Sequence, residues 1–214
     1  MTEFDAKVAE SWHRSADPND ATRVIWDFIS KTGYWKRVLV VAAGVSLVLC
    51  CRRHYGLAIT VFGVVFSEWL LQTELKSYFQ RPLPPYARFP IEDGFPSGRT
   101  MASLIGYGLM AYVLAPLLPR RGQRRAVAAF ALVWITLVAV SRLYLEEHWL
   151  SDVLAGLAIG IAYLAFWIAV IEAVRQRLDR SGSQPALTAP SSAAGFFRYQ
   201  RGLPTSGLSA RQIQ

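Results

Sequence analysis

Two stretches of this chain, residues 100–119 and 153–171, carry no charge at all. An apolar run of roughly 18 residues or more is long enough to cross the hydrocarbon core of a bilayer as a helix. No water reaches the backbone there, so a spanning segment must satisfy its own N–H and C=O groups. Three shorter apolar blocks accompany these two, at 38–51, 54–67 and 126–141. The first is short for a span, and Lys36, Arg37, Arg52 and Arg53 at its ends must snorkel toward the interfaces.

Five such blocks in 214 residues, 53% of them hydrophobic, leave little to build a solvated shell. The expected fold is all-α: a polytopic membrane helical bundle with spans at about 37–53, 55–74, 100–118, 126–144 and 151–173. Over 20–34, Val24, Ile25, Phe28 and Ile29 recur at helical spacing. This predicts an amphipathic interfacial helix or a short sixth membrane element. The chain therefore divides into a polar and amphipathic segment, 1–35, a membrane domain, 36–175, and a flexible basic cytoplasmic tail, 176–214, rich in Ser, Ala, Gly and Pro. The first apolar block follows a polar segment of mixed charge, so no signal peptide is expected. Adjacent Cys50 and Cys51 suit neither a disulfide framework nor a metal site.

The net charge is +8, which in a soluble chain would point to nucleic acid. Here the surplus lies between spans, so it reports orientation and no nucleic-acid partner is expected. Arg52, Arg53, Arg120, Arg121, Arg124, Arg125, Arg175, Arg177 and Arg180 fall on one side of the predicted bundle. That side is expected to be cytoplasmic, and the loops at 74–100 and 141–152 to face outward. The expected location is the inner membrane of a bacterium.

Both outward loops are polar in the same way. Lys76, Arg81, Arg88, Arg99 and Arg142 supply cations and His148 a titratable ring. Clustered cations beside a histidine suit a phosphate substrate. If the fifth helix begins near His148, Asp152 shares its face four residues on. Asp152 can then fix the tautomer and leave the other ring nitrogen free to attack. Arg142 can stabilise charge on a transferring phosphoryl group. Ser97 and Gly98 precede the third span, where free helix amides face an anion. Each part has a plainer reading, as turn, cap or snorkelling cation. Their common position at span ends on one face is what joins them.

These residues resemble the type 2 phosphatidic acid phosphatase superfamily, the lipid phosphate phosphatases related to vanadium haloperoxidases. That family carries K-x6-R-P, P-S-G-H and S-R-x5-H-x3-D. The third motif is complete as Ser141, Arg142, His148 and Asp152. The resemblance implies a nucleophilic His148 oriented by Asp152, with phosphate held by Lys76, Ser97, Gly98 and Arg142. It also implies a metal-independent reaction with no cofactor. In the first motif Lys76 matches, but Leu83 stands at the arginine position, and Arg81, two residues early, is the available substitute. In the second, Arg99 replaces the histidine that the family uses as general acid. An arginine does not give up its proton in proteins.

Two functional readings follow. One is a membrane phosphatase that hydrolyses a lipid phosphate or isoprenoid diphosphate through a phosphohistidine. The other is a catalytically impaired relative that binds or transports anionic phospholipids, with Arg99 as a fixed charge in its site. Glu92, Asp93, Glu146 and Glu147 are candidate replacement acids. Glu68, inside the second span, reads as a structural partner in the bundle or as a functional carboxylate.

Overall fold

The computed structural model describes residues 3–15, 21–87 and 93–181, and every regular element among them is a helix. In chain order these are α1 (Glu3–Ser15), α2 (Thr22–Thr32), α3 (Trp35–Cys51), α4 (Tyr55–Phe79), α5 (Gly98–Leu114), α6 (Arg121–Tyr144) and α7 (Leu150–Ser181). A single 3-10 turn, Ala115–Leu117, extends α5.

Four of these helices are long and apolar enough to cross a membrane: α4, α5 with its turn, α6 and α7. The fifth element differs from its expected form. At about 1.5 Å per residue, the 17 residues of α3 fall short of a bilayer core of about 30 Å. It reaches spanning length only together with α2, from which it is bent by 57°. By length and composition the amphipathic segment and the short first block together make one bent element, a broken span or a re-entrant loop. Gly33 caps α2 at the corner. A Cβ there would lie 2.6 Å from Val138 Cγ1 and 2.8 Å from the Arg99 carbonyl oxygen. Only glycine lets this corner press against α6 and the start of α5.

α5 is the central helix, packed against α3, α4, α6 and α7. Its Met101, Ile105 and Leu109 are buried with Val38, Ala42 and Leu49 of α3 and Val61 and Val64 of α4. The outer faces of α4, α6 and α7 stay apolar and exposed, at Ile59, Phe62, Phe130, Leu132, Leu154, Ile161 and Phe166. In a bilayer these are the lipid-facing positions. This is an integral membrane protein built as an α-helical bundle.

Three helices run further than expected: α4 to Phe79, so that Lys76 lies inside it, α6 from Arg121, and α7 to Ser181. The remainder of the expected tail lies outside the described residues, as do Arg88 and Glu92. α1, expected only as polar chain, is a helix that packs on α6 and α7.

Candidate active site

The candidate residues gather where α4 and α6 end and α5 and α7 begin. A cavity of about 220 Å³ opens there. Lys76, Gly98, Arg99, Arg142 and His148 line it together with Tyr34, Trp35, Trp69, Gln72 and Thr73. Trp35 and Trp69 stack at 4.9 Å between centroids. The lining thus combines cationic with aromatic side chains.

Local structure explains each placement. α6 ends at Tyr144, and the short connection to Leu150 holds His148 between two helix ends. Leu145 N donates to Ser141 O and Glu147 N to Arg142 O, which fold this connection back on the last turn of α6. Glu146 takes φ 58°, a left-handed conformation usually left to glycine. His13 Nδ1 lies 2.9 Å from its Oε1, and Arg23 Nη2 3.6 Å from its Oε2. On the other side, Ser97 N donates to Asp152 O, tying the turn before α5 to the start of α7. A Cβ on Gly156 would sit 2.9 Å from Ser97 O, so that glycine permits the close approach.

Lys76, Gly98, Arg99, Arg142 and His148 therefore share one cavity, and Ser97, Asp152 and Arg81 stand behind it. Ser97 is buried, its hydroxyl 3.0 Å from Thr100 Oγ1. Lys76 Nζ donates to Asp93 O at 2.9 Å. Asp152 Oδ2 lies 3.6 Å from His148 Nδ1, an approach longer than a hydrogen bond. The reason is that α7 starts after His148, so Oδ2 caps the helix by accepting from Trp149 N at 3.1 Å. Nδ1 itself has no hydrogen-bond partner.

Arg81 is placed differently from the substitute phosphate ligand that its position in the sequence suggests. It does not line the cavity. Its Nη1 donates to Asp152 Oδ1 at 2.6 Å and its Nη2 to Asp5 Oδ2 at 3.0 Å. Two carboxylates behind His148 hold the guanidinium away from the opening.

Ser30 enters the site without having been assigned there from the sequence, and Glu147, weighed there as a replacement acid, enters as an ion-pair partner. Glu147 Oε2 pairs with Arg99 Nη1 at 2.6 Å and also with Arg142 Nη1. Ser30 of α2 accepts from the same two guanidinium nitrogens, at 3.1 and 2.6 Å. Burial pushes the Glu147 carboxyl up, but Arg142 and Arg99 outweigh it and hold the group below its ordinary range. His148 is held well below its ordinary value by burial first, then by Arg142, Lys76 and Arg99, with Glu147 opposing. The ring is therefore neutral and able to act as a nucleophile at neutral pH. Glu68 is buried in α4, one Oε without a hydrogen-bond partner, and does not line the cavity.

A sequence model of the PAP2 superfamily matches residues 53–176. The chain belongs to the PAP2 superfamily. Phosphatidylglycerophosphatase B of Bacillus subtilis is 33% identical over 127 residues, 58% of this chain and 61% of that protein. Lipid phosphate phosphatase delta of Arabidopsis thaliana is 36% identical over 90 residues, 38% of this chain and 20% of that protein. The matched part thus spans less than two thirds of either relative. The fold agrees with the crystal structure of a transmembrane PAP2 type phosphatidylglycerolphosphate phosphatase from Bacillus subtilis, at TM-score 0.70 and 23% identity over 80% of this chain and 86% of that one. It agrees also with Aquifex aeolicus LpxE, at TM-score 0.61 and 18% identity over 78% and 96%.

Proposed function

We propose that this PAP2 protein is a lipid phosphate phosphatase whose catalytic domain is 36–175. The observation that carries the reading is a neutral histidine on the wall of a cavity that also presents Lys76, Arg99 and Arg142. Asp152 lies beside Nδ1, so Nε2 is the nitrogen left for substrate. In the first step Nε2 attacks phosphorus, an N–P bond forms, and the P–O bond to the lipid breaks. The lipid leaves as an alcohol once protonated, or as a lipid phosphate if the substrate is a diphosphate. Water then attacks the phosphohistidine and releases inorganic phosphate, returning the ring to its starting state. Lys76, Arg142, Arg99 and the α5 amides at Gly98 balance charge on the phosphoryl oxygens. Trp35 and Trp69 of the lining receive the apolar part of the substrate. The site faces the extracytoplasmic side of a bacterial inner membrane, by the distribution of arginines.

The Arg99–Glu147 pair favours a second reading, binding of anionic lipid without turnover, because neither partner offers a proton in that state. Phosphate release from phosphatidic acid, phosphatidylglycerophosphate and an isoprenoid diphosphate separates the two. Release that His148→Ala abolishes supports the phosphatase. Lipid binding with no release from any of the three supports the binder.

A further inference from the structure

Among the described residues a cluster of charge lies outside the cavity, and only its Asp152 enters the proposed chemistry. It links α1, which lies outside the segment matched by the family, to the residue behind the nucleophile. Asp5 is buried, as is Asp152, and Arg81 lies between them. Asp5 Oδ2 accepts from Arg81 Nη2 at 3.0 Å and from Ser151 Oγ at 2.8 Å. Its Oδ1 accepts from Ser151 N at 3.0 Å. Arg81 Nη1 donates to Ser151 Oγ at 2.8 Å and to Asp152 Oδ1 at 2.6 Å. Asp152 is left with Oδ2 toward His148 Nδ1 and Trp149 N.

We infer that Asp5 is a positioning residue for the reaction: through Arg81 it sets the orientation of the Asp152 carboxylate against His148. The inference rests on the reading of His148 as nucleophile. Asp152 makes no hydrogen bond to the ring in this arrangement; Trp149 N holds its Oδ2 and Arg81 holds its Oδ1. Arg81 is the side-chain half of that fixture, and a guanidinium with one buried carboxylate on each side has a single favourable orientation. Removal of Asp5 leaves Arg81 with one anionic partner and lets it turn toward the cavity or solvent, taking Asp152 Oδ1 with it. α1 is seated for the task, because Val8, Ala9 and Trp12 line a narrow cleft with Pro84, Leu143 and Leu150 that also reaches His148.

Asp5 also accepts from Ser151 at the amino end of α7, so a purely structural role as a helix cap must be separated from positioning. The test uses the full chain in detergent or lipid and compares Asp5→Asn in the wild-type background and in Arg81→Met. Two quantities are read: kcat and KM on the best lipid phosphate, and the rate at which diethyl pyrocarbonate modifies His148, with His54 as internal control. Asp5→Asn is expected to lower kcat about tenfold with KM within about twofold, the signature of a lost transition-state effect. It is expected to slow modification of His148 several-fold and leave His54 unchanged. In Arg81→Met the same substitution should change neither quantity. Equal losses in both backgrounds would show a cap and overturn the inference. So would a rise in KM at constant kcat, or no change. If Asp5→Asn is not recovered folded, Arg81→Lys, which cannot bridge two carboxylates with a planar fork, is read by the same measures. Modification of His148 does not require turnover. A protein inactive on every lipid, yet showing the slowed modification, would keep the positioning role and sink the phosphatase reading.

Discussion

Glu147 Oε2 lies 2.6 Å from Arg99 Nη1, one residue before the proposed nucleophile. The same oxygen pairs with Arg142, so one carboxylate sits between two cations on the cavity wall. An anion already occupies part of the charge that a substrate phosphate would use. Glu147→Gln removes it and leaves the guanidiniums in place. Inorganic phosphate should then inhibit more strongly, with Ki lower by roughly three- to tenfold, as expected for released charge-assisted donors. An unchanged Ki in competition assays would show that Glu147 does not compete for these donors.

The same ion cluster makes an acid-stability prediction. The folded carboxyl of Glu147 titrates below its ordinary value of 4.5, because Arg142 and Arg99 overcome the effect of burial. Its contribution to stability is therefore complete above about pH 4.5 and lost as pH falls through the lower folded value. Thermal melts of wild type should decline over that window, and Glu147→Gln should flatten that part of the decline.

His148 titrates in the opposite sense to a paired histidine. Burial, then Arg142, Lys76 and Arg99, hold its folded value well below 6.5. The ring stays neutral on acidification past pH 6.5, so the acid limb of kcat/KM should lie well below that value. Lys76→Met removes one of the cations and should move the limb upward, whatever it does to KM. A limb at or above pH 6.5 in wild type would mean that the free enzyme's ring is not held in this environment.

Glu146 tests whether backbone strain is held by side-chain contacts. At φ 58° a residue with a Cβ costs roughly 1 kcal/mol or more relative to glycine. Glu146→Ala loses the His13 and Arg23 contacts and keeps the strain. Glu146→Gly loses the same contacts and relieves it. Glycine should therefore be the more stable of the two variants by roughly 1 kcal/mol in matched unfolding experiments. Equal stability would place the strain elsewhere in the connection.

The spans were legible because uncharged runs of such length have few other uses, and the family because Ser141, Arg142, His148 and Asp152 stand at a specific spacing between two of them. The bend between α2 and α3 was not legible. It depends on Gly33 meeting Val138 and Arg99, contacts that no local pattern announces. Nor was the docking of α1, a polar helix without a broad apolar stripe. Asp5 and Arg81 are 76 residues apart, and one buried carboxylate looks in sequence like any other. Arg81 was assigned to phosphate from its place beside a family motif. Burial between two acids, which sequence does not show, gives it a different position.

Arg99 carries the last prediction, on substrate choice. It stands where the family has a general acid, it lines the cavity, and its Nη1 is occupied by Glu147 and Ser30. Cleaving a lipid monophosphate expels an alkoxide, which needs a proton in the transition state. Cleaving a lipid diphosphate expels a lipid phosphate, which leaves as an anion, and a fixed guanidinium stabilises it. Activity on an isoprenoid diphosphate should therefore exceed activity on a lipid monophosphate. Arg99→His restores a group that can donate a proton, and Glu147 keeps Arg142 as its partner in that variant. Monophosphate turnover should rise more than diphosphate turnover, within the range of about 10² to 10⁴ that a general acid contributes. The measurement is kcat/KM for both substrate types at several pH values, in wild type and Arg99→His. Monophosphate activity that matches diphosphate activity in wild type, and is unmoved by the substitution, would mean that another group already supplies the proton and that Arg99 does not set the choice.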